Sequence, residues 1–294
     1  MEKILITGGT GLVGQNLTKL LLKNGFGVNI LTRSPEKNNE FKWDISENYI
    51  DKNAFENVTF IIHLAGAGIA DERWTEKRKK IIIDSRVYSA NLLFEKVKNL
   101  KIPLKKFISA SATGFYGAIT TEKIFIESDA SASDFLGSVC QKWEDAAHQF
   151  EKLEIPVAIL RTGIVLSKNG GALEKMKTPI ISPLGSGEQY IPWIHIDDLC
   201  EMYTNAVQKE SFTGVFNAVA DNYQTSKTFS KSLAKSVGRI YLPIAVPGFL
   251  MKLIFGEMAK ILLKGSRVSS KKILETGYKF KFPSLNSALK NLFK

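Results

Sequence analysis

The sequence predicts an α/β protein built on a doubly wound parallel sheet. Two observations lead to this prediction: short β-rich runs alternate with longer helical patterns through about the first half of the chain, and a glycine-rich turn joins the first strand to the first helix. The 294 residues are 44% hydrophobic, 10% aromatic and 23% charged. These proportions are typical of globular proteins and exclude disordered, collagen-like and coiled-coil chains.

The first half of the chain supplies the strands and helices of this sheet in alternation. Apolar, β-rich runs predict strands at 3–7, 28–32, 58–63, 106–110 and 157–161. Helical spacing of apolar residues predicts a helix after the first strand, which ends at Asn24-Gly25, and further helices at 75–100 and 135–153. Because βαβ units place their strands in parallel, the pattern predicts a Rossmann-like sheet.

Beyond residue 161 the pattern becomes irregular. Helices predicted at 199–208 and 226–237 flank a short strand at 215–219, and further short helices are predicted at 249–263, 269–275 and 285–292. We therefore expect three parts: a Rossmann-like nucleotide-binding domain at 1–162 whose sheet later segments complete, a smaller α+β substrate-side region at 163–238, and a basic helical C-terminal domain at 239–294.

The turn after the first strand has the residues that phosphate binding requires. Gly8, Gly11 and Gly14 follow the pattern G-x-x-G-x-x-G between a strand and a helix. Glycine permits a tight turn and a close approach of the backbone to a pyrophosphate, whose charge the N–H groups at the helix start favour. The predicted cofactor contacts in this turn are Thr7, Gly8, Gly9, Thr10, Gly11, Leu12, Val13 and Gly14.

Arg33, after the second strand, indicates which dinucleotide binds. Sites for NAD usually have Asp or Glu near this position, whereas Arg33 offers a fixed cation to the 2′-phosphate of NADP(H). We therefore predict NADP(H); the alternative is a solvated Arg33. Asp44 is predicted either to accept a hydrogen bond from the adenine amino group or to be a plain turn carboxylate.

The net charge of +11 is concentrated at the C-terminal end of the chain. Residues 239–294 hold eleven Lys and Arg against two acids, a net charge of +9. Such a tail could meet nucleic acid, an acidic lipid surface or an anionic ligand, or simply be a solvated face. Because its apolar residues are dense, we expect them to be buried, with Arg267 turned toward an anionic substrate. No specific nucleic-acid partner is expected.

The cysteines and the apolar segments predict the cellular compartment of the protein. Cys140 and Cys200 have no CxxC spacing, so we expect neither a disulfide framework nor a zinc ribbon, and a reducing, cytoplasmic compartment. No signal peptide is expected. Prolines and charges interrupt the most apolar late stretch, 240–263, so no membrane span is expected. His63 and His148 lack carboxylates at ligand spacing, and no metal site is predicted.

Several segments resemble a known family. TGGTGLVG at 7–14, HLAG at 63–66, Ser111 and Tyr116-Gly117 resemble the extended short-chain dehydrogenase/reductase superfamily. WTEKRKKIIIDSRV at 74–87, LRTGIVLSKNGGAL at 160–173 and GSRVSSKKILETGYKFKFP at 265–283 are similar to one atypical branch, the epimerase family proteins or nucleoside-diphosphate-sugar epimerases, which have a C-terminal domain of unknown function. The resemblance implies a Rossmann-like, NADP(H)-binding fold with Leu64, Ala65 and Gly66 at the cofactor.

The chain departs from the superfamily at its usual catalytic pair, Tyr-x-x-x-Lys. Anchoring the alignment on Glu144 places the tyrosine position at Leu136 (or Phe135) and the lysine position at Cys140. Neither residue can supply an activated phenol. Lys142 does not replace the lysine, because two positions along a helix point about 200° away.

The resemblance suggests other candidates for catalysis. Ser111 matches the serine that hydrogen-bonds the reacting oxygen, and Tyr116 is the nearest phenol that could act as the acid, with a packing role as its alternative. Arg86 stands where an Asn is common and could supply the missing positive charge, or be a salt-bridged structural residue. His195 is expected mainly to shape its loop and cap the helix that follows it, with substrate contact and catalysis as the alternatives.

Two functions remain open at this point. The first is an NADP(H)-dependent oxidoreductase or isomerase of the epimerase/dehydratase type, acting on an undefined small molecule as a monomer or homodimer. The second is a non-catalytic, NADPH-binding regulatory or scaffold protein. The phosphate-binding turn suits both, the absent Tyr-x-x-x-Lys pair favours the second, and Ser111 with a distinct substrate-side region favours the first.

Overall fold

Strands and helices alternate along residues 2–293, which the computed structural model describes. The strands are β1 Lys3–Thr7, β2 Gly27–Thr32, β3 Glu40–Asp44, β4 Tyr49–Ile50, β5 Val58–His63, β6 Lys106–Ala112, β7 Ile124–Phe125, β8 Val157–Thr162, β9 Ile164–Leu166, β10 Ile180–Ile181, β11 Trp193–His195, β12 Gly214–Ala218, β13 Ile240–Tyr241 and β14 Arg267–Val268. The α-helices are α1 Leu12–Lys23, α2 Glu76–Leu100, α3 Phe135–His148, α4 Ala172–Met176, α5 Ile196–Gln208, α6 Ser226–Ser236, α7 Gly248–Phe255, α8 Lys260–Leu263, α9 Lys271–Glu275 and α10 Leu285–Phe293.

The central sheet of the described residues has eight strands in the order β12-β8-β6-β5-β1-β2-β3-β4. Its neighbours are parallel except for β3 and β4, which pair antiparallel at one edge. Strand order reverses between β1 and β5, so the carboxyl ends of these strands form the crevice in which such sheets bind ligands. The predicted doubly wound, Rossmann-like sheet is confirmed.

Alternating side chains on the strands bury two separate helix layers. On β1, Ile4 and Ile6 face one layer, where α1 and α5 contribute Leu17 and Met202. Leu5 faces the other layer, which α2 and α3 cover. Both faces of the sheet are therefore covered, which explains why its strands are almost entirely apolar in sequence.

The later segments are packed into the rest of the protein. Strand β12 adds to the sheet beside β8, as the sequence predicted in outline. Ile273 and Tyr278, beyond α8, lie in the core between the sheet and α5. Helix α10 packs on α6 in a third apolar cluster with Leu285 and Leu289 at its centre. The three-part division of the chain stays a prediction, and these contacts show how closely its parts are joined.

The expected burial of the apolar tail residues is wrong for helix α7. Phe249, Leu253 and Ile254 are exposed, whereas Met251 is buried. Helix α7 is only eight residues long, and it turns Met251 and the partly buried Phe255 to the protein rather than a full apolar face. Among the residues that the structure describes, no helix is both long and apolar enough to cross a membrane.

Candidate functional site

The start of helix α1 is built to receive an anion. Gly11 is its N-cap, no side chain caps it, and its first turn has no acidic residue. By contrast, Thr75, Asp134 and Thr225 cap helices α2, α3 and α6 with side-chain oxygens. The first N–H groups of α1 are therefore left for a ligand, and the helix dipole favours a negative one. This fits the pyrophosphate of a dinucleotide.

The glycines of the turn are required by close packing. Gly8 has a φ of +69°, and a Cβ there would lie 3.0 Å from the Leu64 carbonyl carbon. A Cβ on Gly14 would lie 2.3 Å from the Gly8 carbonyl oxygen. The turn thus lies directly against the loop after β5, where Leu64, Ala65 and Gly66 were predicted to meet the cofactor. The two predicted cofactor segments are neighbours in the fold.

A buried hydrogen-bond network holds these two segments together. The Thr7 hydroxyl accepts from the backbone N–H of Leu64 (3.2 Å) and of Ala65 (3.1 Å), and lies 2.8 Å from His63 Nδ1. His63 Nε2 lies 3.2 Å from the Ser89 hydroxyl on α2. One proton arrangement satisfies every group: Thr7 donates to Nδ1, and Nε2–H donates to Ser89.

The charge of His63 follows from its burial. Removal from water lowers its pKa to about 4, so the ring is neutral near pH 7. Thr7 and His63 are both completely buried. Thr7, predicted as a cofactor contact, therefore acts in the structure by orienting the loop rather than by presenting its side chain. His63 is a residue whose supporting role the sequence did not reveal.

The adenosine end of the predicted dinucleotide site holds Arg33 and Asp44. Arg33 follows β2 and is exposed; no hydrogen bond or ion pair engages its side chain within residues 2–293. Asp44 ends the neighbouring strand β3, where its Oδ1 accepts from the hydroxyl and N–H of Ser46. The Ser46 hydroxyl is the main cause that lowers the pKa of Asp44. Asp44 is thus an ionised turn carboxylate whose Oδ2 is uncommitted.

At the other half of the sheet, three neighbouring strands align a row of polar residues. Ser111 on β6 is in register with Arg161 on β8, which is in register with Asn217 on β12. All three are buried. Buried polar groups must find partners inside the protein, because an unpaired one is costly.

Glu144 on α3 is the centre of this polar cluster. Arg161 donates to it through two nitrogens, Nε to Oε1 (2.9 Å) and Nη2 to Oε2 (2.8 Å). Ser111 donates its hydroxyl proton to Oε1 at 2.6 Å. A two-point ion pair with a further charged hydrogen bond fixes α3 to the sheet. The sequence revealed neither role: Glu144 stands in it only as an alignment anchor, whereas Arg161 has a usable signal, a charge in an otherwise apolar strand.

Tyr116 belongs to the same cluster. Its phenol donates to Asn217 Oδ1 at 2.7 Å and accepts from Arg161 Nη1 at 3.0 Å. Only 3% of the residue is exposed, and burial raises its pKa to about 12. Of the two roles left open for Tyr116, these contacts favour packing over proton transfer, because the hydroxyl is both buried and engaged.

The positions of the usual Tyr-x-x-x-Lys pair are apolar. Leu136 and Cys140 both face Gly114, where an added Cβ would lie 3.5 Å from Leu136 Cβ and 3.6 Å from Cys140 Sγ. Burial raises the pKa of the Cys140 thiol to about 12, so it is protonated and unreactive. Lys142 is exposed on the outer face of α3. The structure therefore offers no phenol–lysine pair on this helix.

Arg86 lies beside the loop after β5, which was predicted to meet the cofactor. Its Nη1 donates to the Ala67 and Ile82 carbonyls at 3.0 and 2.9 Å, and its guanidinium lies over the Trp143 ring at 4.9 Å from the centroid. A Cβ on Gly66 would lie 2.9 Å from Arg86 Cζ. Within residues 2–293 no carboxylate forms an ion pair with Arg86, and its Nε and Nη2 have no hydrogen-bond acceptor. This mostly buried cation can therefore take an anionic or polar ligand.

The contacts of His195 and Arg267 test two further expectations. His195 caps α5 as expected, accepting from the Asp197 N–H at 3.1 Å. Arg267, expected to turn toward an anionic substrate, instead binds Glu122, with 2.8 Å between Nη2 and Oε2. Because strands β14 and β7 pair beside it, Arg267 ties the tail to the segment around β7 rather than standing free.

Comparison with known proteins places this geometry in a family. Residues 4–141 match the NAD dependent epimerase/dehydratase family, and residues 246–292 match a domain of unknown function, DUF1731. An epimerase family protein of Staphylococcus aureus is 36% identical over 303 residues, covering 100% of both chains. The chain is an epimerase family protein. Its residues 4–141 are similar to the NAD dependent epimerase/dehydratase family.

Solved structures agree with this assignment. A human epimerase family protein, SDR39U1 (isoform 2), was crystallised with NADPH; it is 30% identical, with a TM-score of 0.88 over 99% of this chain and 98% of that one. A nucleoside-diphosphate sugar epimerase from Corynebacterium glutamicum is 28% identical, with a TM-score of 0.81 over 99% of this chain and 58% of its own. The predicted family and Rossmann-like fold of this epimerase family protein are thereby confirmed.

Proposed function

We propose that this epimerase family protein binds NADP(H) in preference to NAD(H) and serves as an oxidoreductase or isomerase on a small molecule. The supporting observation is the pairing of an uncapped, glycine-built helix start with an exposed, unengaged Arg33 at the end of the next strand. The bound cofactor would supply hydride transfer. The human relative of similar fold is described with NADPH, which agrees with this preference.

Calorimetric titration tests the cofactor preference. We expect NADPH to bind at least about tenfold more tightly than NADH, the scale of one charge-assisted contact. Arg33→Asp should remove or reverse this ratio by repelling the 2′-phosphate. Lys231→Asp is the matched control, because it makes the same change of charge at an exposed position of α6, which packs against α10, β10 and β13. Equal affinities in the wild type, or an equal loss in the control, would remove the argument.

Among the predicted catalytic residues Ser111, Tyr116 and Arg86, we propose that Arg86 touches the bound ligand. It lies against Gly66 and has uncommitted N–H groups, whereas the hydroxyl protons of Ser111 and Tyr116 are engaged by Glu144 and Asn217. Its guanidinium would then hold the nicotinamide-side ribose or a substrate oxygen, as the absent lysine would have done.

An NADPH-oxidation screen with sugar nucleotides, quinones and small carbonyls tests for turnover. With any active substrate, we expect Arg86→Leu to lower kcat/KM by ~10² and Arg86→Lys to recover part of it, because a cation is needed there. Ser111→Ala and Tyr116→Phe decide the remaining assignment. A ~10² loss of kcat would place either residue in catalysis, and wild-type rates would assign it to packing.

A non-catalytic NADPH-binding role is the second candidate. It is favoured by one observation: Leu136 and Cys140 fill the places of the usual catalytic pair. This role predicts NADPH binding without substrate-dependent oxidation, and interconversion of UDP-glucose and UDP-galactose should be absent or very slow. Robust interconversion by the pure protein would contradict this account of helix α3. We also propose a reducing, cytoplasmic setting, which the free and buried Cys140 and Cys200 support.

A further inference from the structure

Helix α7 and the chain before it expose a continuous series of large apolar side chains. Ile240 is 67% exposed, Ile244 70%, Phe249 69% and Leu253 73%. Scattered exposed apolar residues are ordinary, but a contiguous patch marks an interaction surface. We name the set the apolar ledge; it consists of Ile180, Ile240, Leu242, Ile244, Phe249, Leu250, Leu253 and Ile254.

The local backbone aligns these side chains. Ile180 on β10 is the register partner of Ile240 on β13, so the two lie side by side. Ile240, on β13, and Leu242, directly after it, are two residues apart, which turns their side chains to one side, and Ile244 follows at a bend. A bridge between Leu184 and Val246 then holds this segment where it enters α7.

Helix α7 extends the ledge and is held firmly from one side. Phe249 and Leu253 are four residues apart, as are Leu250 and Ile254, so each pair is adjacent on the helix surface. Arg73 donates from Nε to the Ile254 carbonyl and from Nη2 to the Leu253 carbonyl, both at 2.7 Å. The end of the helix is thereby fixed to the loop before α2, while its apolar side chains project outward.

The segment that forms most of the ledge is rich in cations. Residues 222–256 contain no acid and five cations, Lys227, Lys231, Lys235, Arg239 and Lys252. The first three are four residues apart and exposed on α6, which packs beside β10 and β13. Glu257, the next acid, is engaged by Lys79 at 2.7 Å and by Lys260 at 3.2 Å. The segment that forms the ledge is therefore positive, and the exposed acids Asp71 and Glu72, beside Arg73 in the loop that holds α7, both face Arg78.

We propose that the apolar ledge docks this protein reversibly on an anionic lipid bilayer. Apolar side chains would enter the headgroup region, and the flanking cations would meet lipid phosphates. A second copy of the chain fits less well, since it would bring the same cations together. Side chains that are about 70% exposed can enter a bilayer without a fitted pocket, whereas a folded protein partner would have to supply such a pocket.

Vesicle co-sedimentation of the full-length protein tests this proposal. We expect binding to vesicles of phosphatidylcholine with about a quarter phosphatidylglycerol to exceed binding to pure phosphatidylcholine by at least tenfold, and to weaken with salt. Phe249→Ser with Leu253→Ser should lower the partition coefficient at least tenfold by removing apolar insertion. Arg239→Gln with Lys252→Gln should lower it about fivefold per cation on the anionic vesicles alone.

The control is Leu22→Ser with Ile81→Ser, which removes two apolar side chains of 52% and 41% exposure on α1 and α2. It should bind vesicles as the wild type does, and thermal unfolding should show that every variant is folded. Equal loss in the control, or no preference for anionic vesicles, would overturn the proposal. So would a concentration-dependent dimer that Phe249→Ser with Leu253→Ser converts to monomer, because the ledge would then be an interface between copies.

Discussion

The two halves of the sheet's carboxyl edge differ in whether their polar groups are paired within the protein. At β1, β2 and β5, the start of α1 has no side-chain cap and Arg33 is unengaged within residues 2–293. At β6, β8 and β12, Ser111, Glu144 and Arg161 bind one another in a buried cluster. The first half leaves hydrogen-bonding capacity for a ligand, and the second uses its capacity inside the protein.

This difference indicates which half of the sheet's carboxyl edge is suited to bind a ligand. Uncommitted donors beside close-packed glycines have no structural benefit of their own, so their presence indicates a ligand. A fully paired buried network stabilises the fold and fixes one arrangement of its elements. Residues chosen for chemical type alone, such as Tyr116, can belong to either kind of region, and only their partners distinguish them.

Breaking the Glu144–Arg161 pair should lower the free energy of unfolding more than any other change considered below. Arg161→Leu leaves a buried carboxylate without its cation, so we expect a loss of about 3–5 kcal/mol in the free energy of unfolding, measured by urea denaturation. Lys123→Leu is the control, since it breaks the largely exposed pair with Asp129 and should cost about 1 kcal/mol or less. A loss below that for Arg161→Leu would show that the cluster is not structural.

Acid should weaken the cofactor half through His63. Its folded pKa of about 4 is below the ordinary 6.5, so the unfolded chain takes up the proton first. The contribution of neutral His63 is complete above pH 6.5 and is lost as the pH falls toward 4, by roughly 3 kcal/mol. His63→Gln should flatten the pH dependence of the unfolding free energy in this range.

Gly14→Ala should damage binding more than folding. Its Cβ would lie 2.3 Å from the Gly8 carbonyl oxygen, so the helix start must move away from the turn. We expect a cost of about 1–3 kcal/mol in unfolding free energy and at least a roughly hundredfold weaker NADPH affinity by calorimetry. Gly11→Ala, whose Cβ would lie 3.3 Å from the same oxygen, should be milder on both measures. An unchanged affinity in Gly14→Ala would place the dinucleotide elsewhere.

Tyr116→Phe should have the smallest effect and separates packing from catalysis. Loss of the hydroxyl leaves Asn217 Oδ1 without its donor, which should cost about 1–2 kcal/mol in urea denaturation. NADPH affinity should stay within about twofold of wild type, because the phenol is in the paired half of the edge. If Tyr116→Phe left stability unchanged but bound NADPH much more weakly, the β6, β8 and β12 half of the edge would also take part in cofactor binding.

Much of the fold could be predicted because hydrophobic period and glycine position are local signals. Strands β1 and β5 have the predicted bounds, and β6 and β8 extend only one or two residues past theirs. Strands β3 and β4 were not predicted, since Glu40–Asp44 mixes charged and aromatic residues at the sheet edge. Short pairings such as β10 with β13 join residues sixty positions apart, which no local pattern reveals.

The sequence by itself determined the tight glycine turn after β1, because a glycine's lack of a side chain has the same consequence wherever the turn folds. It also identified the absence of the usual phenol and lysine, which residue type alone excludes at Leu136 and Cys140. Tertiary structure decided the rest. Whether a buried polar side chain is free or engaged depends on partners that distant segments bring to it, as Glu144 does for Ser111 and as Glu122 does for Arg267. The exposure of Phe249 was likewise decided by packing, because an apolar residue is buried only where another element is available to cover it.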